Sequence, residues 1–416
     1  MANDDFIVGL DIGTTKVCAV VGTRSESGGL EIRGVGMSPS LGMRRGAVVN
    51  IESMLRSVAD AVSAAELMSG REVKHCWTSI GGPSVECKIS RGVVAVNGKN
   101  REQREISEAD IERVIDAARA VKFPVDREIL EVVPQSYIVD SQSGIRNPLD
   151  MIGVRLESEV SIITCSGTSA QNLVRCVNRA GFVVDGLVLQ TLAAGSAVLT
   201  EEEKDLGVVL VDLGGGTTDV LVYENGVPNL TFSIPVGGNQ VTGDISIMNN
   251  VSLEAAEKIK VEAGCCWAPL MEGLDEEIIV PGMGGRAPFP IPRSVILQII
   301  EPRMKETYAL VKERLEGMFS GGPLSGGIVL TGGGANLLGA ADLAAHVFGM
   351  PVRVGAPLCS GGLSDDYKNT EYATAVGLII EGDIREGRDE HGGSKREGSS
   401  LNILKRMAGW IRREFF

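Results

Sequence analysis

FIVGLDIGTTKVCAVVG (Phe6–Gly22) and GVVLVDLGGGTTDVLVY (Gly207–Tyr223) are written to one plan: an apolar strand ending in Asp, a turn of Gly and Thr, and a second apolar strand. Glycine lets the backbone turn tightly and approach a ligand closely. Successive N–H groups on the concave side of such a turn make a nest for anionic oxygens, to which Thr hydroxyls add donors. Asp11 and Asp212, at the strand ends, suit the hydration shell of Mg²⁺, which prefers carboxylates and retained waters. Lys16, just beyond the first turn, is placed to neutralise a phosphate. Either loop alone reads equally well as an ordinary glycine turn with a satisfied Asp. Two copies some two hundred residues apart point instead to two related domains, each presenting the same hairpin to a shared cleft.

Outward from these hairpins the chain alternates strands and helices, which predicts mixed sheets flanked by helices. LTGGGANL (Leu330–Leu337) is a third glycine turn between a strand and a helix, where the backbone can pass close to an adenine or ribose and the helix start favours negative charge. By itself it also reads as a simple corner. Glu257 and Lys260, in EAAEKIKVEAG, lie one turn apart on a helix and can point into one cleft, although a solvated i,i+3 pair is the plainer reading.

Composition bounds the rest. The 416 residues carry a net charge of −14 and 44% apolar residues, enough for two to four domains with sizeable cores. The acidic balance argues against nucleic acid as a partner. Glycine is abundant at 53 residues while aromatics make up 4%, so backbone turns matter more here than aromatic platforms. Asp4 and Asp5 stand where a secretory signal carries basic residues, and no apolar run approaches a membrane span; a cytoplasmic protein is expected. The eight cysteines are scattered without metal-ligand spacing, which suits reduced structural thiols.

Three shifts mark boundaries. Residues 84–159 read as a small inserted α+β unit, with a helix opening at Ser107 and acidic residues in its first turn. GDIREGRDEHGGSKREGSS (382–400) has four basic and five acidic residues and almost nothing to bury, so a disordered linker is expected. LNILKRMAGWIRREFF (401–416) then returns to apolar plus basic. On a helical wheel Leu401, Leu404, Met407, Trp410, Ile411 and Phe415 fall on one half, and Lys405, Arg406, Arg412 and Arg413 gather on the other. At 1.5 Å per residue the segment is roughly 24 Å long, too short and too charged to cross a bilayer. It suits the interface of anionic lipid, with Trp410 at the boundary, each cation contributing about 1 kcal/mol. Docking on the protein body is the alternative, though a docked helix seldom needs so long a charged tether.

GLDIGTTKV, VDLGGGTTD, GGNQVTGDI and VLTGGGANL, in this order and at these separations, resemble the phosphate and adenosine motifs of the actin–Hsp70–sugar-kinase superfamily. The opening DIGTTKVCAVVG, the insertion and the basic amphipathic tail make the chain similar, within that superfamily, to the FtsA family of bacterial cell-division actins. The fold implied is an actin-like, two-lobed ATPase fold of class α/β with duplicated mixed-sheet domains. The first lobe would take 1–83 and 160–188 and the second 189–381, with a subdomain at about 240–320; Gln190–Ala194 and Thr374–Gly377 resemble the connecting helices. The resemblance implies an ATP site: Gly13, Thr14, Thr15 and Lys16 as the first phosphate loop, and Gly214, Gly215, Gly216 and Thr217 as the second. Gly237 and Gly238 would lie near the ribose, Glu257 and Lys260 against base and sugar, and Gly332, Gly333, Gly334 and Asn336 in the adenosine loop. Asp11 and Asp212 would be the Mg²⁺ contacts, through water. Gln190 matches the polar residue that positions the attacking water. Glutamine is no general base at neutral pH, so the ATPase would be weak and the nucleotide chiefly a switch.

The resemblance also implies an ATP-binding protein that polymerises into filaments on the cytoplasmic face of the membrane at the division site. It would anchor there the filaments of the tubulin-like protein FtsZ and meet later division proteins through the insertion. The segment from about Pro290 to Leu315, with Arg293, Arg303 and Lys305, would take the acidic FtsZ C-terminal peptide. An assembly ATPase of a pilus or compartment system is the alternative. A small-molecule kinase is less favoured, since no acidic general base stands out beyond Asp11, Asp212 and Asp219.

Overall fold

The computed structural model describes residues 6–25, 29–96, 104–271, 275–282, 287–358 and 367–391. Its core is two five-stranded sheets of identical plan. In the first, Leu30–Pro39, Lys16–Arg24 and Phe6–Ile12 run antiparallel, and His75–Ile80 and Val183–Leu189 continue the sheet in parallel. In the second, Val227–Ile234, Thr218–Glu224 and Val208–Leu213 are antiparallel, with Ile328–Thr331 and Val352–Val354 in parallel. The duplication read from the two hairpins thus extends to whole sheets. Their strands are near-continuous runs of Val, Ile and Leu because helices cover both faces: every residue of Val208–Leu213 is buried.

Two helices cross where the lobes meet. Gln190–Val198 follows the last strand of the first sheet, and Ala373–His391 leads back over the first strand. Gly377 sets their distance, because a Cβ there would overlap the backbone of Ala193. The second helix runs farther than the sequence suggests. Residues 382–391, expected to open the linker, continue it without a break. Gly382 lies against Trp77, Arg24 pairs with Asp383, Trp77 Nε1 donates to Glu386 at 3.3 Å, and Arg385 pairs with Glu131. These polar and close-packed contacts order a stretch with little to bury. The rest of the expected linker and the 401–416 helix lie outside the described residues.

The insertion is a four-stranded antiparallel sheet, in the order Gln142–Ile145, Arg127–Val139, Arg155–Ser166, Val85–Ala95, with the helix Glu108–Arg119 on one side. It has its own small core around Ile106, Val114, Tyr137 and Leu156. Its C-terminal edge is later than 159: the strand Arg155–Ser166 pairs with Val85–Ala95 without interruption from Arg155↔Ala95 to Cys165↔Val85. The Ser107 helix start is as expected. Asp110, 1% exposed, accepts hydrogen bonds from the Ser107 amide (2.9 Å) and from two Arg104 nitrogens (2.7 Å each), and it also pairs with Arg113. Burial would raise its pKa, but Arg104, Ser107 and Arg113 hold it well below the usual carboxylate range. Such a group stabilises the fold above its unfolded pKa, and that stability is lost as pH falls through the depressed folded value. Asp110→Ala, which leaves the Ser107 amide without its partner and frees two half-exposed arginines to water, is expected to cost about 1–3 kcal/mol in urea unfolding; a change under half of that removes the cluster as the anchor of this subdomain.

The second lobe carries the helices Gly238–Asn249 and Leu253–Ala263, the hairpin Glu277–Val280/Phe289–Pro292, and the long helix Arg293–Met318 with Pro302 inside it. The Pro290–Leu315 segment therefore begins as a strand and becomes helix at Arg293. The cysteines among the described residues are free, and burial pushes the Cys18 and Cys165 thiols up to about 12, as suits inert structural thiols. No helix among the described residues is long and apolar enough to cross a membrane.

Candidate functional site

The two hairpin turns close identically: the Gly13 amide donates to the Lys16 carbonyl at 2.9 Å and the Gly214 amide to the Thr217 carbonyl at 3.0 Å. They face each other across the gap between the lobes. A Cβ on Gly215 would sit 2.8 Å from Thr15 Oγ1 and one on Gly216 2.6 Å from Thr14 Oγ1, so only glycine allows the opposed loops to come this close. The Gly237–Gly238 turn backs the second loop, with the Gly238 and Asn239 amides donating to the carbonyls of Gly214 (2.9 Å) and Gly215 (2.8 Å).

Behind the loops lie three carboxylates. Asp11 is 6% exposed and accepts from Ser79 Oγ at 2.7 Å; Asp212 is 4% exposed and accepts from Gln190 Nε2 at 2.9 Å. Asp219 stands opposite Asp212 in the hairpin and accepts from Thr217 Oγ1 at 2.7 Å and, across the lobes, from the Gly82 amide at 3.1 Å. Burial pushes all three pKa values up, and for Asp212 burial and then the Asp219 charge carry it to about 7. No ion pair is made by any of them among the described residues. Buried negative charge of this density calls for a counter-charge, and a hydrated divalent cation held by carboxylates fits it.

The turn 370–372, between these loops and the crossing helix, is a feature that sequence reading missed. Lys16 Nζ donates to the Glu371 carbonyl, lies 3.6 Å from its carboxylate and stands 5.3 Å from the Tyr372 ring centroid. Thr370 Oγ1 donates to the Gly332 carbonyl (2.7 Å) and is 3.0 Å from Asn336 Oδ1, while Asn336 Nδ2 donates to Asn369 Oδ1 at 2.6 Å. Asn369-Thr-Glu ahead of a helix is a helix-start pattern, the one local signal that could have marked it. Glu257 and Lys260 form a 2.7 Å pair, and Lys260 Nζ also donates to Gly238 O (3.3 Å) and Thr242 Oγ1 (3.0 Å). At 15% side-chain exposure Lys260 belongs to the cleft wall, while Glu257, at 47%, lines the cavity from its solvated rim, so the solvated-pair reading holds for the acid alone.

A cavity of about 580 Å³ is lined by Asp11, Gly13–Lys16, Gln190, Asp212, Gly214–Thr217, Glu257, Lys260, Gly332–Gly334 and Asn336, among other residues. The volume, the opposed glycine turns and the carboxylates suit a polyphosphate ligand with a divalent cation. The residues expected at a peptide site are not gathered in one place. Arg293 lines this cavity; Arg303, ten residues on and therefore about 15 Å along the helix, is tied to Asp244 at 2.6 Å and to Glu306. Lys305 is exposed. The membrane-facing set Leu401–Phe415 lies outside the described residues.

Residues 209–377 match the family described as "Cell division protein FtsA", and residues 82–164 match "SHS2 domain inserted in FTSA", which takes in the strand beyond 159. The cell division protein FtsA of Borreliella burgdorferi is 42% identical over 418 residues, with 99% of each chain covered. Among solved structures, the PilM–PilN type IV pilus biogenesis complex aligns with a TM-score of 0.64 at 17% identity, covering 90% of this chain and 98% of that one. MreB5 of Spiroplasma citri bound to ADP aligns at 0.55 and 16%, covering 94% and 99%. At those identities the solved structures speak to an actin-like fold alone, so the pilus likeness carries no function. The full-length relative is of another order. With 42% of its residues shared from end to end, the chain belongs to the FtsA family of cell-division proteins.

Proposed function

We propose that this chain binds ATP with Mg²⁺ between its lobes, assembles into filaments, and holds FtsZ filaments to the cytoplasmic face of the membrane at the division site. The observation that carries the nucleotide reading is the pair of glycine hairpin turns facing each other over three buried carboxylates. Gly13–Lys16 and Gly214–Thr217 would hold the phosphates, Asp11 and Asp212 the hydrated Mg²⁺, Glu257 and Lys260 the ribose, and Gly332–Asn336 the adenosine. The bound Mg²⁺ would supply charge neutralisation to the phosphates. Gln190 donates to Asp212, so it would orient the carboxylate that holds the ion's water, which accords with a nucleotide used mainly as a switch.

The 401–416 segment would bind anionic lipid by its apolar half and its four cations. One such helix binds weakly, and filament formation multiplies the attachment points. An acidic FtsZ peptide would meet Arg303 and Lys305 on the second lobe, and the insertion would meet later division proteins. The test is flotation of the full chain with anionic liposomes, with and without Mg-ATP, beside Trp410→Glu. Release of the variant, with the wild type retained more strongly in Mg-ATP, is the expected result. Equal flotation of the two proteins rejects the tail as the anchor.

A further inference from the structure

We propose that Arg293 is the base-recognition residue of the nucleotide cleft, its guanidinium packing on the face of the purine. The inference rests on the ATP reading above and goes one step beyond it. Along one wall of the cavity the order of groups follows from their contacts. The phosphate loop Gly214–Thr217 is bonded through the Gly214 carbonyl to the Gly238 amide (2.9 Å), and the Gly238 carbonyl accepts from Lys260 Nζ (3.3 Å). The end of the Lys260 helix, at Ala263, accepts from Arg293, with Val261, Gly264 and Arg293 on the cavity wall. Arg293 therefore stands at the end remote from the phosphates, where the base of a nucleotide would lie.

Its placement is fixed from two sides. The Arg293 amide donates to the Glu276 carbonyl at 2.9 Å, and the next residue is capped by Asp275, which accepts from the Ser294 amide and hydroxyl at 2.9 Å each. The side chain is held by one bond, Nε to the Ala263 carbonyl at 2.7 Å, at the C-terminal end of the helix Leu253–Ala263. Among the described residues Arg293 makes no ion pair, although the lobe is rich in acids. A planar cation tethered at Nε on the cavity wall, its two terminal nitrogens bonded to none of the described residues, is suited to a flat π-system. A lysine there would carry the charge without the plane.

The experiment is calorimetric titration of Mg-ATP and of Mg-tripolyphosphate into wild type, Arg293→Ala and Arg293→Lys, with circular dichroism to check folding. Wild type is expected to bind Mg-ATP more tightly than Mg-tripolyphosphate. Arg293→Ala should weaken Mg-ATP about 10-fold and leave Mg-tripolyphosphate unchanged, with Arg293→Lys between the two. If Arg293→Ala does not fold, the lysine variant alone decides: the same selective loss supports the proposal and an unchanged ATP affinity rejects it. Equal loss of both ligands, or no loss of either, overturns the base contact while leaving ATP binding in place. A wild type that prefers Mg-ATP no more than Mg-tripolyphosphate overturns the base contact too, and one that binds neither removes the nucleotide reading itself.

Discussion

Asp212→Asn is expected to weaken Mg-ATP binding by roughly 10–100-fold, the usual cost of losing a group that orients a metal's shell, and at the same time to raise the melting temperature of the nucleotide-free protein at pH 8. The two effects have one cause. Asp212 is buried, faces Asp219 across the hairpin and is pushed up to about 7. Its folded pKa thus exceeds its unfolded one, so between about 4 and about 7 the folded state binds more protons than the unfolded chain. Stability without ligand must therefore fall as pH rises through that window, and asparagine removes the share of the fall that Asp212 contributes, leaving that of Asp11 and Asp219. The cation requires the ionised form, so Mg-ATP affinity should climb as pH passes from 6 to 8 in wild type and climb less in the variant. Calorimetry at three pH values and thermal melts with and without Mg-ATP check both halves. A variant that binds Mg-ATP as tightly as wild type would separate Asp212 from the cation.

The largest expected effect on stability is at Gly377. A valine there drives a branched side chain into the Ala193 backbone at the crossing of the two helices, and backbone cannot yield as a side-chain tip can. Overpacking in a fitted core costs about 1–3 kcal/mol, and an overlap with main chain should exceed it, so Gly377→Val is expected to be insoluble or to melt at least 10 °C lower (at roughly 2–4 °C per kcal/mol for large domains). Gly387→Ala is the control. It lies on the same helix with open space where its Cβ would be, and replacing glycine in a helix should gain up to about 1 kcal/mol. Similar melts for the two variants would show that the crossing is not tightly fitted.

The hairpins were legible because a buried strand, an Asp and a glycine turn each leave a local mark, and the mark occurs twice. What escaped reading depends on contacts between distant residues. The end of the insertion was set too early because Val160–Ser166, rich in Val and Ile, reads like a strand of the first lobe; its pairing with Val85–Ser90 on one side and Arg127–Pro134 on the other assigns it. Residues 382–391 lack apolar periodicity, and their helix is held by Arg24, Trp77 and Glu131 from three separate parts of the chain. Arg293 reads as one of several cations on a helix. Its entry into the cleft follows from the point where the strand Phe289–Pro292 gives way to the helix, a boundary that two prolines blur.

The helix Ala373–His391 begins against the Lys16–Glu371 contact, with Thr374 on the cavity wall, and ends at the root of the chain's last segment. Its 19 residues make a rod about 28 Å long at 1.5 Å per residue. Crossed by Gln190–Val198 at Gly377 near its start and tied along its outer part to Arg24, Trp77 and Glu131, it is a fixed strut that joins the wall of the cleft to the start of the chain's last segment.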